Sequence, residues 1–120
     1  MAIYHRYRVW QRAHGLTLDI YRATTGFPND ERFGLTAQIR RAATSISSNI
    51  AEGLGRSADK DRARFLDFAV GSANELEYHL TLGGELGYID GPTHDELTAA
   101  VILIRKMLIA LRSKMRSGVK

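Results

Sequence analysis

Residues 38–53 read QIRRAATSISSNIAEG, and no other stretch of this 120-residue chain limits its fold so tightly. Leu35, Ile39, Ala42, Ala43, Ile46, Ile50 and Gly53 recur at steps of three and four, the period of one face of an α-helix. Beside that face runs a second stripe, Gln38, Arg41, Ser45, Ser48, Asn49 and Glu52. An ordinary surface helix fills such positions with Lys and Glu, which it can leave in water. Small hydroxyls and an amide between an Arg and a Glu predict a partly buried network in which each polar group has a partner.

The rest of the chain repeats the helical period between clear breaks. Arg8 to Thr25 carries Val9, Ala13, Leu16 and Ile20 on one face, and GFPNDERFG ends it. The 38–53 segment belongs to a second helix over about residues 34–55. Ser57 is the expected N-cap of a third, with Asp59 and Asp61 near the positive end of its dipole. That helix, about 58–87, has Phe65, Ala69, Ser72, Leu76, His79 and Gly83 at heptad-like spacing. Gly83 and Gly87 are expected to let another helix approach closely. YIDGP breaks the chain again, and Thr93-His94-Asp95-Glu96 reads as a capping box opening a fourth helix, about 93–115. No stretch alternates with period two. The expectation is an all-α chain, residues 1–120 forming one up-down-up-down antiparallel four-helix bundle.

That topology makes positional predictions. If helices two and three turn at about Ser57, residues whose numbers sum to roughly 114–116 lie level. Arg41 then meets Glu75 in a partly buried ion pair that sets register, Glu52 lies near Arg62, and Ser45 and Asn49 bond to neighbouring helices. The fourth helix has more apolar surface than one interface needs. Leu97, Val101, Ile104, Leu108, Leu111 and Met115 make the core stripe, widened by Leu103, Met107 and Ala110, while Ile102 and Ile109 fall on the far side. With Leu18 similarly off-face on the first helix, these residues predict a homo-oligomer contact.

Composition narrows the function mostly by exclusion. There is no cysteine, hence no disulfide framework or thiolate metal site, which fits a cytoplasmic location. No stretch is long and apolar enough for a signal peptide or a membrane span. The residues three before His5, His14, His79 and His94 are Ala2, Gln11, Leu76 and Gly91, so the Glu-x-x-His pairs of bundle metal sites are missing. No phosphate loop or dinucleotide fingerprint occurs. Glu75 and His79, one turn apart, read as a structural hydrogen bond before an acid–base pair. Trp10 and Tyr21 share a side of the first helix, as the edge of a core or as rings for stacking on bases. No catalytic residue, metal or cofactor is expected.

Charge is the one positive hint. The chain carries +4 overall, with thirteen Arg against four Lys. In the expected topology one end holds Arg6, Arg8, Arg12, Arg56, Lys60, Arg62, Arg64, Arg112, Lys114, Arg116 and Lys120 against Asp59 and Asp61, a surplus of nine. The other end holds Asp30, Glu31, Glu85, Asp90, Asp95 and Glu96 against Arg32, a deficit of five. A dipole of this kind orients an anionic polymer, or an acidic protein, at one pole. Arg6, Arg8, Arg12, Arg112 and Arg116 are the candidate phosphate contacts.

These motifs carry a family resemblance. Val9-Trp10-Gln11, Ile20-Tyr21, Phe27-Pro28, Phe33-Gly34-Leu35, QIRRAATSISSNIAEG, Gly71-Ser72, Glu75-Leu76 and Leu86-Gly87-Tyr88-Ile89 resemble the bacterial intervening-sequence proteins, encoded within insertions in genes for large-subunit ribosomal RNA. The resemblance spans about residues 8–112, and Ser47 stands where such families usually show Pro or another small residue. It implies an up-down bundle assembled as a ring-like homopentamer. The family is similar in turn to accessory proteins of diversity-generating retroelements, basic pentameric barrels that bind a reverse transcriptase and nucleic acid. The resemblance thus implies RNA or DNA as partner and transfers no catalytic residue; the basic pole fits equally an acidic protein such as a polymerase.

Overall fold

The computed structural model describes residues 2–118 and contains four long helices. These are α1 (Arg8–Thr24), α2 (Leu35–Leu54), α3 (Asp59–Glu85) and α4 (Gly91–Ser117), with 3₁₀ turns at Ile3–Arg6 and Asn29–Glu31. Among the described residues there is no strand. Each helix packs on its chain neighbours, and α4 returns to α1, closing a four-sided bundle about 45 Å long.

Cross-helix partners establish the antiparallel course. Thr17 bonds Ser47 and Thr24 bonds Arg40, so α2 runs backwards along α1. Ser45 meets Ser72 while Arg41 meets Glu75, and Arg105 meets Glu77 while Arg112 meets Asp67. The same reversal therefore holds for α2 on α3 and for α3 on α4.

The core follows from residue size as well as period. Ile20, Ile39, Ile46, Ile50, Leu66, Leu76, Leu80 and Leu108 are fully buried, interleaved with Ala42, Ala43, Ala69 and Ala73. Alternating bulk of this kind lets facing layers interdigitate. Gly53 marks a tight α2–α3 crossing: a Cβ there would lie 2.8 Å from the Cβ of Phe65 and 3.2 Å from the Arg62 carbonyl oxygen. At the α1–α2 contact the Thr17 and Ser47 hydroxyls lie 2.9 Å apart, and Thr17 also donates to the Ala43 carbonyl. Ser47 is thus a buried polar group with a partner.

Several local expectations need correction. Ser57 does not cap α3: Ala58 holds the N-cap position, and Asp59 and Asp61 supply the acidic first turn. Helix α4 starts earlier than the Thr93 box. Asp90 accepts the Thr93 backbone N–H at 2.8 Å and Pro92 occupies the first turn, where its missing donor costs nothing. This bond holds the Asp90 carboxyl below its ordinary value. Gly83 and Gly87 serve the α3–α4 loop, not a helix crossing. Gly87 takes a left-handed φ of 78°, the Tyr88 N–H closes back on the Gly83 carbonyl, and Ile89 seats against Gly83 where a Cβ would intrude at 2.9 Å. On α3, Leu66, Ala73 and Leu80 face the core, while Phe65, Ser72 and His79 flank it.

Candidate nucleic-acid interface

The bundle brings the predicted basic residues to one end. Tyr7 and Arg8 share a groove with Leu111 and Lys114, and Lys60 and Arg64 share another with Met115 and Arg116. Lys120 lies outside the described residues. The structure adds two carboxylates that the sequence count left out, Asp67 and Glu52, so ten basic side chains there meet four acidic ones. Asp67 is the consequential omission. Its carboxylate bonds Arg112 at 2.5 Å and lies 3.7 Å from Arg116. Only 18% of the Arg112 side chain is exposed.

The pole therefore divides into two unlike halves. On the α2–α3–α4 side each Arg faces a carboxylate: Arg56 with Glu52, Arg62 with Asp59, Arg64 with Asp61, and Arg112 and Arg116 with Asp67. Arg56 and Arg64 also lie over the Phe65 ring, at 4.7 and 4.9 Å. On the α1 side Arg6, Arg8 and Arg12 are exposed, and among the described residues no carboxylate lies within ion-pair range of them. Of the five candidate phosphate contacts, those three keep their charge undiminished. Arg112 and Arg116 reach a phosphate only in competition with Asp67. Register alone could have revealed this, because Asp67 and Arg112 fall level when α3 and α4 are turned about Ile89.

The polar stripe on α2 is assembled differently from expectation. Arg41 bonds the Gln38 side-chain oxygen and lies 3.5 Å from Glu75, but the two partners are 65% and 43% exposed. The pair is not buried, because long charged side chains on the bundle flank carry their heads out to water. Ser45 does cross to α3, 2.7 Å from Ser72. Asn49 does not: its amide donates to the Ser45 carbonyl and hydroxyl in its own helix. Glu52 pairs with Arg56 one turn on, while Arg62 bonds the Arg56 carbonyl and faces Asp59, so the expected Glu52–Arg62 contact is absent. An exposed pair contributes about 0–1 kcal/mol rather than the several of a buried one. Arg41→Ala is accordingly expected to melt within a few degrees of the parent protein; a loss of ten degrees or more would contradict this placement.

His79 lies one turn beyond Glu75, with its Nδ1 buried and, among the described residues, without a hydrogen-bond partner. Burial pushes the imidazole below its ordinary 6.5; Glu75 pulls it back, and Arg41 acts with burial. The folded protein then takes up this proton less readily than the unfolded chain. The resulting stability is complete above about pH 6.5 and declines as the pH falls below it. A proton NMR titration is expected to place the His79 midpoint below those of free imidazoles, and a midpoint above 6.5 would contradict it.

The candidate oligomer residues lie on separate faces. Ile102 and Ile109 sit on the flank of α4 whose Arg105 and Arg112 bond α3, with Ile109 39% exposed and Ile102 half-buried. Leu18 is on the outer face of α1, 42% exposed. Leu103, read from sequence as the rim of the core, is as open at 41% and borders the α1–α4 groove. The two candidate stacking rings are both engaged: Trp10 packs against His5 and His14, and Arg40 lies over the Tyr21 ring at 4.7 Å. Among the described residues no group of His, Asp or Glu is placed to hold a metal ion, and no helix is long and apolar enough to cross a membrane.

Comparison with known proteins agrees with this architecture. Among solved structures, the chain is similar to a protein of unknown function from the S23 ribosomal protein family of Bacteroides thetaiotaomicron. The two share 27% identity and a TM-score of 0.78 over 87% of this chain and 97% of the other. No curated protein matches. The profile of the family described as 23S rRNA-intervening sequence protein matches residues 5–110. With the bundle and the match extending together over nearly the whole chain, this protein belongs to the 23S rRNA intervening-sequence protein family.

Proposed function

We propose that this protein is a non-enzymatic, oligomeric scaffold that associates with nucleic acid through its basic pole. The observation that carries the reading is the trio Arg6, Arg8 and Arg12: three exposed guanidiniums in one short segment, without a carboxylate partner among the described residues. Arg suits phosphate because its planar fork matches two oxygens at once. Nothing in the bundle resembles a helix presented to a groove, so binding is sequence-tolerant and phosphate-driven.

Oligomerisation multiplies that pole. A two-fold dimer uses one self-complementary patch, whereas a closed ring uses two different patches on each subunit. Ile102 and Ile109 on one face and Leu18 on another fit the second arrangement, in keeping with the pentamer that the family resemblance implies. Weak phosphate contacts repeated around a ring gain strength by avidity. Light scattering is expected to give a particle several times 13.4 kDa, and a monomer at micromolar concentration would overturn the oligomer.

The test of the function is direct titration of structured RNA and duplex DNA against the protein at about 50 mM salt. Binding to one or both is expected. Failure to bind either would leave the second reading, in which the same pole docks an acidic protein such as a polymerase; the charge asymmetry between the two ends favours it equally.

A further inference from the structure

The segment that holds the unpaired arginines also holds the chain's densest group of rings. Between residues 4 and 14 the order is Tyr4, His5, Arg6, Tyr7, Arg8, Trp10, Arg12 and His14, so rings and cations alternate. The rings are already stacked. The His14 imidazole lies nearly parallel to the Trp10 indole, 7° off with centroids 4.9 Å apart. His5 lies 23° from parallel at 4.7 Å, and Tyr4 meets the indole edge-on at 4.8 Å. Gln11 steadies the 3₁₀ turn by donating to the His5 carbonyl at 2.8 Å. Trp10 itself is half-buried against the core, but His14 is exposed, with one face on the indole and no other ring against it among the described residues.

The cations and the stack occupy opposite flanks of α1. Trp10 and His14 share the stripe of Thr17 and Tyr21, which face α2 through Ser47 and Arg40. Arg8 and Arg12 border the grooves toward α4, where Lys114 stands across from Arg8. A chain of nucleotides crossing α1 meets guanidiniums on one side and an ordered aromatic face on the other. A surface that pairs cations with an open ring face favours one form of nucleic acid over another. A duplex offers phosphates but keeps its base faces inside, whereas a single strand can turn a base outward while its phosphates stay on the arginines.

We propose that this pole takes single-stranded nucleic acid, with Arg8 and Arg12 holding phosphates and a base stacked on the open face of His14. The proposal rests on the nucleic-acid reading above and narrows it to one class of substrate. Stacking is tolerant of sequence because every base has a π face, and the contact adds to a phosphate term that duplexes share.

The test compares three probes on the intact protein: a single-stranded oligothymidylate, a duplex of equal length and inorganic polyphosphate, which has charge without bases. Trp10 is the sole tryptophan, so its emission reports on the stack directly. The single strand is expected to bind at least fivefold more tightly than the duplex and to change Trp10 emission, which polyphosphate leaves unaltered. His14→Ala is expected to remove that preference while leaving polyphosphate affinity unchanged, and His14→Phe to restore it; His14 is exposed, so neither change disturbs the core. Equal affinity for strand and duplex, or equal losses for all probes in His14→Ala, would overturn the stacking site and leave phosphate binding intact. Absence of binding to every probe would overturn both.

Discussion

Gly53→Ala is expected to destabilise the protein by about 1–2 kcal/mol, although alanine is the better helix former by about 1 kcal/mol. The reason is the α2–α3 crossing. The added methyl would sit 2.8 Å from the Phe65 Cβ and 3.2 Å from the Arg62 carbonyl oxygen, and the second of these is backbone that cannot swing aside. Overpacking of this kind typically costs about 1–3 kcal/mol. With both opposing atoms fixed to the α3 backbone, the cost here falls at about 2–3 kcal/mol and outweighs the propensity gain. Gly71→Ala is the matched control. Gly71 lies inside α3 with nothing near its missing Cβ, so the substitution should stabilise by about 0.5–1 kcal/mol. Denaturant unfolding of the two variants is expected to give opposite signs. A Gly53→Ala protein as stable as its parent would show that the crossing is looser than described.

Gly53 also illustrates how much the sequence discloses. Its place on the apolar face of α2 follows from the three-and-four spacing, and so do the core positions Ile39, Ile46 and Ile50. That the opposing atom is a carbonyl of α3 follows only from how deeply the two helices interlock. The breaks at GFPNDERFG and YIDGP are legible because proline and glycine act locally, yet the capping residue was displaced from Thr93 to Asp90. Two residues in that stretch can cap, and the loop decides between them. Arg41 and Glu75 were brought together by register, but their exposure depends on side-chain length, which lets both heads reach solvent. Asp67 is not legible from the helix ends that define the basic pole, because its charge acts across the α3–α4 seam. The His5, Trp10 and His14 stack needed the 3₁₀ turn that folds His5 back beside α1, a feature with no periodic signal.

The second large effect concerns that pole. Replacing Arg6, Arg8 and Arg12 together by alanine is expected to weaken nucleic-acid binding by tenfold or more near 100 mM salt, and to flatten its salt dependence by about two to three units. These side chains are exposed and make no ion pair among the described residues, so folding should be unaffected. The Arg112→Ala, Arg116→Ala double variant is expected to lose less, since Asp67 already neutralises part of that charge. Asp67→Asn should act in the opposite direction and tighten binding by releasing both guanidiniums. A loss from the Arg112 pair that exceeds the loss from the α1 trio would place the contact on the other half of the pole.

The most direct measurement is the affinity of the unaltered protein for one nucleic acid as a function of salt, from about 50 to 300 mM. Phosphate-driven binding releases condensed counterions, so the logarithm of the association constant should fall linearly and steeply with the logarithm of salt concentration, with a slope of at least about two from the α1 trio alone. An affinity that hardly changes across that range would contradict a basic pole built to hold phosphates.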